Sequence, residues 1–473
     1  MKQRTRPKFT KRKPQKPRGK PMHLSTRDMG FGRLINRNLV AFFIILIAFL
    51  LFGTHITLNF KRDWPADFQL QHLNPDAKLY YSLAQNIVDG TGYFDTLRND
   101  QIMPPIGHPF LLAVLCIKLG LSPATFSWLL FLSSFVLLAF AVRTYTASNI
   151  FVIIFLWLYG SFFAYIRWLS ANVEASIVVT NAFLILSLAL LYKTNFKTIW
   201  AVIAGTALAI HLLIRPLYLF PTHICFILFG GIALYYHLRK RSALLPAVKA
   251  WLILLAATEC LLLAAYAYSY FRYKDSRLVT GTYGAYALYA ANNIYEPPVG
   301  PFPTRAEHSK EFYKVYNITT DNPSITWQQR HKIMMNEVLS YWKKYPLRAL
   351  AGWWWRFRQF MGIHSGSFSW KEPLTVFHAF SVSFLFVLLA IRIVAFRYKK
   401  QEFQPDISLG VICAVLFLLY SAIHAVFVYA EFRYVTVTVP LLVAADIFLL
   451  FDVRQIFKKI PTVLLRRPNS KSN

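Results

Sequence analysis

Apolar stretches of about 17 to 22 residues recur along the chain between residues 40 and 450, and short polar breaks separate them. A helix of about 20 apolar residues is long enough to cross the hydrocarbon core of a bilayer. The pattern therefore predicts an all-α polytopic membrane protein with about ten transmembrane helices. The predicted spans are residues 39–59, 123–142, 149–166, 174–192, 198–214, 216–236, 250–268, 376–395, 407–428 and 434–451.

The composition agrees with this class. Apolar residues make up 56% of the chain and charged residues only 15%, whereas about 25% of the residues in a typical soluble domain are charged. The four cysteines all lie in apolar stretches, and none has the CxxC spacing of a zinc or redox motif. A soluble enzyme, a disordered chain and a secreted disulfide scaffold are therefore excluded.

The net charge of +31 is concentrated at the two termini. More than half of it lies in residues 1–38 and 454–473, and both tails flank apolar spans. Positive residues accumulate on the cytoplasmic side of membrane proteins, so we expect both termini in the cytoplasm and the lipid bilayer as a partner. A basic excess alone is also compatible with nucleic acid, but its position in these tails favours membrane topology, and no nucleic-acid partner is expected.

The stretch 108–119 decides the topology, because it is apolar but too short to cross a bilayer. If it stays on one side, the basic breaks at Arg143, at Lys193 and Lys197, and at 239–241 face the cytoplasm with both termini. If it crosses, these basic residues face outward, against the positive-inside rule. We therefore expect ten spans and two large outer regions, residues 60–122 and about 270–372.

The first outer region contains a short predicted helix with an acid in its first turn. Asn74 suits an N-cap and Pro75 the first helical position, whereas Gly90 is typical of a helix stop. Asp76 and Tyr80 then share one face, and the helix dipole stabilises an anion at this position. Asp76 is therefore a candidate chemical group, although a carboxylate that only supports the first turn would give the same pattern.

The same topology brings Glu174, Arg215 and Arg433 to the outer membrane face, at the ends of three different spans. Ionisable side chains at span ends also reach the water without any function. Their convergence below a long outer loop nevertheless favours a site at the membrane surface. A carboxylate with arginines suits deprotonation of a hydroxyl beside a bound phosphate.

These stretches, in this order, resemble the GT-C superfamily of integral-membrane glycosyltransferases, which take sugars from polyprenyl-phosphate donors. Its relatives include the protein O-mannosyltransferases and the lipid A aminoarabinose transferases. The stretches similar to its motifs are 76–93 (with Asp76, Tyr80, Ala84 and Gly90-Thr91-Gly92-Tyr93), the Pro-rich 104–113, the acidic 170–174, the small-residue helix 204–216 that ends in Arg-Pro, and 431–434 (Glu-Phe-Arg-Tyr) with Pro440. His108 stands where a tyrosine is commoner.

The resemblance implies a role for each candidate residue. Asp76 is the general base for the acceptor, and the reaction proceeds with inversion at the outer, periplasmic or lumenal, face. Arg215 and Arg433 hold the phosphate, Glu174 orients a substrate, and Tyr80 braces Asp76. The acceptor is a lipid, a glycan or a protein. Ala77 stands where the mannose and aminoarabinose transferases carry a second acid, so their sugars are not carried over.

No cofactor is required by this scheme. Histidines and acids in the first outer region do not form a recognisable metal cluster, although some members of the superfamily use a divalent ion. Two other functions stay open: a transporter or flippase for lipid-linked saccharides, and a non-catalytic scaffold of GT-C type.

The chain accordingly divides into five parts, in a protein expected in a bacterial inner membrane. These are a basic cytoplasmic tail predicted to be disordered (1–38), a transmembrane catalytic module with outer loop 60–122 (39–268), an outer-face region of about 100 residues (269–375), C-terminal transmembrane helices (376–451) and a second basic tail (452–473). Within 269–375, residues 324–345 have helical spacing, and Trp353, Trp354 and Trp355 suggest an interfacial belt.

Overall fold

The computed structural model describes residues 43, 47, 75–93, 104–161, 173–238, 245–273, 284–292, 327–361, 373–398, 408–427, 435 and 437–464. Throughout these residues the regular secondary structure is helical, and no strand occurs in them. All the helices named below belong to one compact unit, Phe49–Asn473. The tail 1–38 and nearly all of the first predicted span, 39–59, lie outside the described residues.

Fourteen α-helices are resolved in this part of the chain, numbered here in chain order. They are α1 (Pro75–Asp89), α2 (Gly107–Leu112), α3 (Pro123–Thr146), α4 (Asn149–Ser161), α5 (Val173–Lys193), α6 (Thr198–Ile214), α7 (Leu219–Leu238), α8 (Leu245–Tyr273), α9 (Gly284–Ala291), α10 (Trp327–Lys344), α11 (Pro346–Phe360), α12 (Pro373–Tyr398), α13 (Leu409–Phe427) and α14 (Val439–Leu464). Helix α2 continues as a π-helical segment, Ala113–Lys118, and a 3₁₀ turn, Pro216–Tyr218, separates α6 from α7.

The prediction of a helical membrane protein is confirmed. Five helices are long and apolar enough to cross a bilayer: Thr125–Thr146, Val173–Lys193, Pro246–Arg272, Val376–Val394 and Leu409–Phe427. Shorter apolar helices occupy three further predicted spans: Asn149–Gly160, Thr198–Ile214 and Pro216–Ile232. The number of ten spans stays a prediction. Helix α14 extends past the predicted span 434–451 to Leu464, and so runs into the expected tail 452–473.

Small residues allow the central helices to approach closely. A Cβ atom on Gly205 of α6 would clash with the carbonyl oxygen of Leu254 in α8, and Thr258 donates a hydrogen bond to the Gly205 carbonyl at 3.1 Å. Gly410 of α13 is packed equally tightly against the Leu449 backbone of α14. Such contacts replace the hydrophobic effect as the attraction between helices in a bilayer, and they join α6 to α8 and α13 to α14.

One end of the bundle, called the site end below, comprises the starts of α5 and α7 and the ends of α6, α8 and α13. Helices α1 and α2 pack here: a Cβ on Gly107 would lie 2.6 Å from the carbonyl oxygen of Leu213, and Arg272 donates to the Gly90 carbonyl at 3.3 Å. These two contacts place α1 and α2 beside the ends of α6 and α8. The stretch 107–118 is about 18 Å long as a helix, which is shorter than a hydrocarbon core of about 30 Å.

The opposite end, called the basic end, carries the charged breaks between spans. Arg143 closes α3, and Lys193 and Lys197 flank the turn between α5 and α6. Asp452 of α14 is bound there by Arg392 at 3.0 Å and by the Tyr145 hydroxyl at 3.1 Å. The basic residues at the breaks between α3 and α4 and between α5 and α6 thus lie at the end of the bundle opposite the site end.

Helices α9, α10 and α11 belong to the predicted outer-face region and pack against the end of α13. The predicted helix within 324–345 is confirmed by α10. The interfacial-belt interpretation of the three tryptophans is wrong for Trp355, which is only 7% exposed. Trp353 donates to the Asn292 side-chain oxygen at 2.6 Å. Trp354 is 61% exposed, which is compatible with a position in an interfacial belt.

Candidate functional site

Helix α1 forms as the sequence predicts. It begins at Pro75 and ends at Asp89, and Gly90 follows with a φ of +69°, the left-handed conformation of a helix stop. Asp76 therefore lies in the first turn, but its side chain is outside the described part of the structure. Ala84, on the same predicted face as Tyr80, is fully buried against α2.

Asp89, a second acid of the first outer region and so a second possible base, is at the other end of α1. Both of its carboxylate oxygens accept from the Gln85 amide, at 2.9 and 3.1 Å. Thirteen residues separate it from Asp76, which corresponds to about 20 Å along a helix axis. Asp63 and Asp67, two further acids of the first outer region, lie outside the described residues.

His108 connects α1 to α5. Its ring is fully buried and meets the Tyr80 ring edge-on, with 4.8 Å between centroids. Its Nδ1 atom lies 2.9 Å from the Ser176 hydroxyl, one half-turn after Glu174 in α5. Gly107, the preceding residue, touches the last turn of α6. The first two residues of α2 therefore bring α1, α5 and α6 together.

Glu174 and Arg215 lie at the ends of the two helices that α2 contacts. Glu174 is in the first turn of α5 and is 2% exposed. Arg215 follows the last residue of α6 and is partly buried. The structure thus brings Tyr80, Glu174 and Arg215 to the site end. Arg433, with Glu431 beside it, lies outside the described residues.

The end of α13 belongs to the same end of the bundle. Tyr218, three residues after Arg215, is fully buried, and its hydroxyl lies 3.3 Å from Nε2 of His424. Residues 428–434, which include Arg433, follow directly after α13 in the sequence. Helix α13, the last described helix before Arg433 in the sequence, therefore ends at the site end.

Sequence reasoning missed Arg356 of α11, which fixes this end of α13. The side chain is fully buried, Nε donates to the Ala425 carbonyl at 2.5 Å, and Nη1 donates to the Ala291 carbonyl at 2.8 Å. Burial lowers the pKa of Arg356 to about 9, which leaves it protonated at neutral pH. The sequence did contain one indication of this role. Arg356 lies on the same face of α11 as Gly352 and Trp355, and small and aromatic residues on one face indicate burial.

Sequence reasoning also missed the role of His108, because its partner Ser176 is distant in the chain. The Pro-rich motif that precedes it, Pro104-Pro105-Ile106-Gly107, marked this stretch as notable. It did not indicate which residue His108 contacts. Within the residues that the structure describes, no group of three or more His, Cys, Asp or Glu side chains could hold a metal ion.

Comparison with known proteins gave no match, since no family model, curated protein or solved structure is significantly similar to this chain. The likeness to the GT-C superfamily therefore depends on the residues of the sequence alone.

Proposed function

We propose that the protein is a membrane glycosyltransferase of GT-C type. It transfers a sugar from a polyprenyl-phosphate donor to an acceptor hydroxyl or amine at the outer face of the membrane, with inversion. One observation carries this proposal: α2 joins α1, whose first turn contains Asp76, to the end of α6 that precedes Arg215. The two supporting contacts are the Tyr80–His108 ring pair at 4.8 Å and the approach of Gly107 to Leu213.

The proposed topology has ten spans, both termini in the cytoplasm and the stretch 107–118 on the outer side. The separation of Arg143, Lys193 and Lys197 from the site end supports it, because basic residues favour the cytoplasmic side. A bacterial inner membrane has the required arrangement, with lipid-linked sugars exposed at its periplasmic face.

The proposed reaction breaks the bond between the anomeric carbon and the donor phosphate and forms a bond from that carbon to the acceptor. Asp76 takes the acceptor proton, and polyprenyl phosphate leaves with the bonding electron pair. Arg215 and Arg433 stabilise the negative charge that grows on the phosphate. Glu174 orients a substrate, and Tyr80 braces α1 through His108. No metal ion is required by these steps.

Substitution of the proposed base tests the function. Purified protein is incubated with a panel of lipid-phosphate sugars, and released polyprenyl phosphate is measured by mass spectrometry. Asp76→Asn should reduce release by about 10²- to 10⁴-fold while expression and membrane insertion are unchanged. Asp89→Asn, in the same helix, is the matched control and should retain activity. Full activity of Asp76→Asn, or no release by the wild type from any donor, would contradict the proposal.

Cysteine labelling tests the topology independently of activity. Single cysteines replace the exposed Asp89 in α1 and the exposed Lys197 at the basic end. An impermeant maleimide added to intact cells should label Asp89→Cys at once and Lys197→Cys only after permeabilisation. The unsubstituted protein supplies the background from its own cysteines. Labelling of both positions from the same side would rule out the arrangement.

A transporter of lipid-linked saccharides is the second candidate, because polar side chains are buried along the spans. Asp446 of α14 is buried and accepts a hydrogen bond from Ser381 of α12, and intramembrane acids commonly mark a transport path. Flipping of a fluorescent polyprenyl-phosphate lipid in proteoliposomes distinguishes the candidates. An enzyme gives sugar transfer without flipping, and a transporter flips the lipid equally well with Asp76→Asn.

A further inference from the structure

Arg215 lies at the break between α6 and α7, so no helix fixes the direction of its side chain. Its φ and ψ of −135° and 80° are not helical, and Pro216 follows it. The backbone N–H of Arg215 donates to the His211 carbonyl at 3.0 Å, and its carbonyl accepts from the Tyr218 N–H at 3.1 Å. Residues four before and three after Arg215 therefore hold the break.

The rings of these two residues stack on each other and on a third ring. His211 and Tyr218 are parallel, with 5.2 Å between centroids. Tyr420 of α13 lies 3.9 Å from Tyr218 and 5.9 Å from His211, within 11° of parallel in both pairs. All three side chains are fully buried. This ring stack (His211, Tyr218, Tyr420) spans the break that carries Arg215 and attaches it to α13.

Hydrogen bonds fix the edges of the ring stack. The Tyr420 carbonyl, which can only accept, lies 2.8 Å from Nδ1 of His424, so Nδ1 carries the proton of a neutral His424. Its Nε2 is then an acceptor, and the Tyr218 hydroxyl donates to it at 3.3 Å. The hydroxyl of Tyr420 is bonded to Thr222 of α7 at 2.8 Å.

His211 is held in the same manner from α5. The Thr180 hydroxyl, which has a single proton, donates it to the carbonyls of its own helix, at 2.8 Å for Ser176. The Nδ1 atom of His211, 3.0 Å away, therefore donates to Thr180. Helices α5, α7 and α13 thus fix the stack, and His211 and Tyr218 hold the backbone of Arg215 on both sides of the break.

We propose that the ring stack and His424 are a positioning assembly that holds Arg215 towards the phosphate group of a polyprenyl phosphate. The inference rests on the proposed function, which assigns the phosphate to Arg215. A guanidinium that is held before binding loses less side-chain entropy when the anion arrives. The residues of the assembly are positioning residues, because they act on the ligand through Arg215. A purely structural role would affect folding stability alone.

Binding of undecaprenyl phosphate to the purified full-length protein tests the assembly. Arg215→Ala should weaken binding about 10- to 100-fold, the value of a charge-assisted hydrogen bond. Tyr218→Phe keeps the stacked ring and removes the bond to His424, and it should weaken binding about three- to tenfold. His424→Gln, whose amide oxygen can accept from Tyr218, should retain more affinity than His424→Leu.

The matched control is Tyr159→Phe, because Tyr159 is also buried and its hydroxyl makes one side-chain contact, with Ser134 at 3.2 Å. It should bind as the wild type does. In the transfer assay, Tyr218→Phe should raise KM for the donor and also lower kcat, because Arg215 acts on the charge that grows in the transition state. A loss of folded protein alone would not raise KM.

The outcomes separate the two proposals. If Arg215→Ala weakens binding but Tyr218→Phe behaves like Tyr159→Phe, the positioning assembly is wrong and the proposed function stands. If the wild type does not bind undecaprenyl phosphate, or Arg215→Ala binds it equally well, the proposed function fails at this residue and the assembly with it. Should Tyr218→Phe not fold, equal affinities of His424→Gln and His424→Leu would overturn the inference.

Discussion

At the basic end of the bundle a carboxylate and a guanidinium contact each other directly, whereas at the site end three histidine rings each contact a hydroxyl group. Asp452 is bound by Arg392 at 3.0 Å, with both side chains at most 15% exposed. At the site end, His108 contacts Ser176, His211 contacts Thr180, and Tyr218 contacts His424. Glu174 and Arg215 lie beside these neutral pairs.

The difference indicates what each end is built for. A carboxylate and a guanidinium that face each other repay part of their desolvation and tie α12 to α14. Neutral hydrogen-bonded groups fix helix ends without adding a charge of their own. They are therefore suited to hold charged side chains in place for a charged ligand. We expect substitutions at the basic end to change stability alone, and substitutions at the site end to change activity as well.

Gly107→Ala should have the largest effect, because it acts on the contact that assembles the site end. Its Cβ would lie 2.6 Å from one backbone oxygen and 2.9 Å from a backbone nitrogen of α6. Neither backbone atom can move away cheaply, so we expect a loss of about 3 kcal/mol, as in severe overpacking, and loss of sugar transfer. Thermal unfolding and the release assay measure both.

Gly230→Ala is the control for this change, because a Cβ there would have nothing within 4 Å. It should leave both measurements unchanged. Wild-type activity of Gly107→Ala would mean that α2 need not touch α6, and the site end would lose its central contact.

Asp452→Asn should have the next largest effect, and on stability alone. The amide oxygen can still accept from Tyr145, but Arg392 loses its carboxylate. Removing one partner of a fully buried pair costs roughly 3–5 kcal/mol; because this pair is partly exposed, we expect about 2 kcal/mol. Chemical unfolding measures the loss, with the exposed Asp89→Asn as control. A fall in kcat of the folded variant would break the contrast between the two ends.

The sequence predicted most of the fold because helix ends and span lengths leave local signals. The bounds of α6 agree with the predicted span 198–214, and Pro75 and Gly90 marked both ends of α1. Helix α14 was predicted too short, since charged and polar residues become frequent after Phe451 and the signal of a span is lost, although the helix continues. The π-helical end of α2 also left no recognisable pattern.

The site was predictable only as far as topology could place it. Counting spans and basic breaks brought Glu174 and Arg215 to one face, and the structure places both at the site end with Tyr80. The partners that hold them were not predictable, because His108 contacts a residue 68 positions away and Tyr218 contacts one 206 positions away. Contacts of this range depend on packing and leave no trace in local periodicity.

His108→Phe should have a moderate effect that appears mainly in activity. The phenyl ring preserves the packing against Tyr80 and Phe126 but removes the bond to Ser176. We expect about 1 kcal/mol of lost stability and about a tenfold lower kcat/KM, equivalent to about 1.4 kcal/mol, because α1 is less firmly tied to α5. Ser176→Ala removes the same bond from the other side.

A double-mutant cycle shows whether these two residues act together. His108→Phe and Ser176→Ala should be non-additive in kcat/KM, since either one breaks the bond. Ser187→Ala is the control in the same helix, because its hydroxyl donates to the Phe183 carbonyl at 2.7 Å, within α5 itself, and it should combine additively with His108→Phe. Additive effects of His108→Phe and Ser176→Ala would show that their hydrogen bond does not couple α1 to α5. Tyr80 and Glu174 would then act independently.

Arg272→Gln should have the smallest effect, although it removes a positive charge from the site end. Arg272 lies in the last turn of α8 and donates to the Gly90 carbonyl at 3.3 Å in an exposed position. Exposed charged contacts contribute about 0.2–1 kcal/mol, and a glutamine amide can still donate to this carbonyl. Unfolding and kcat/KM should therefore both stay close to wild type. A tenfold rise in KM for the donor would show that the phosphate is held by Arg272 as well as Arg215. The charged part of the site would then extend along α1 to its far end, and the neutral contacts at His108 would no longer mark its boundary.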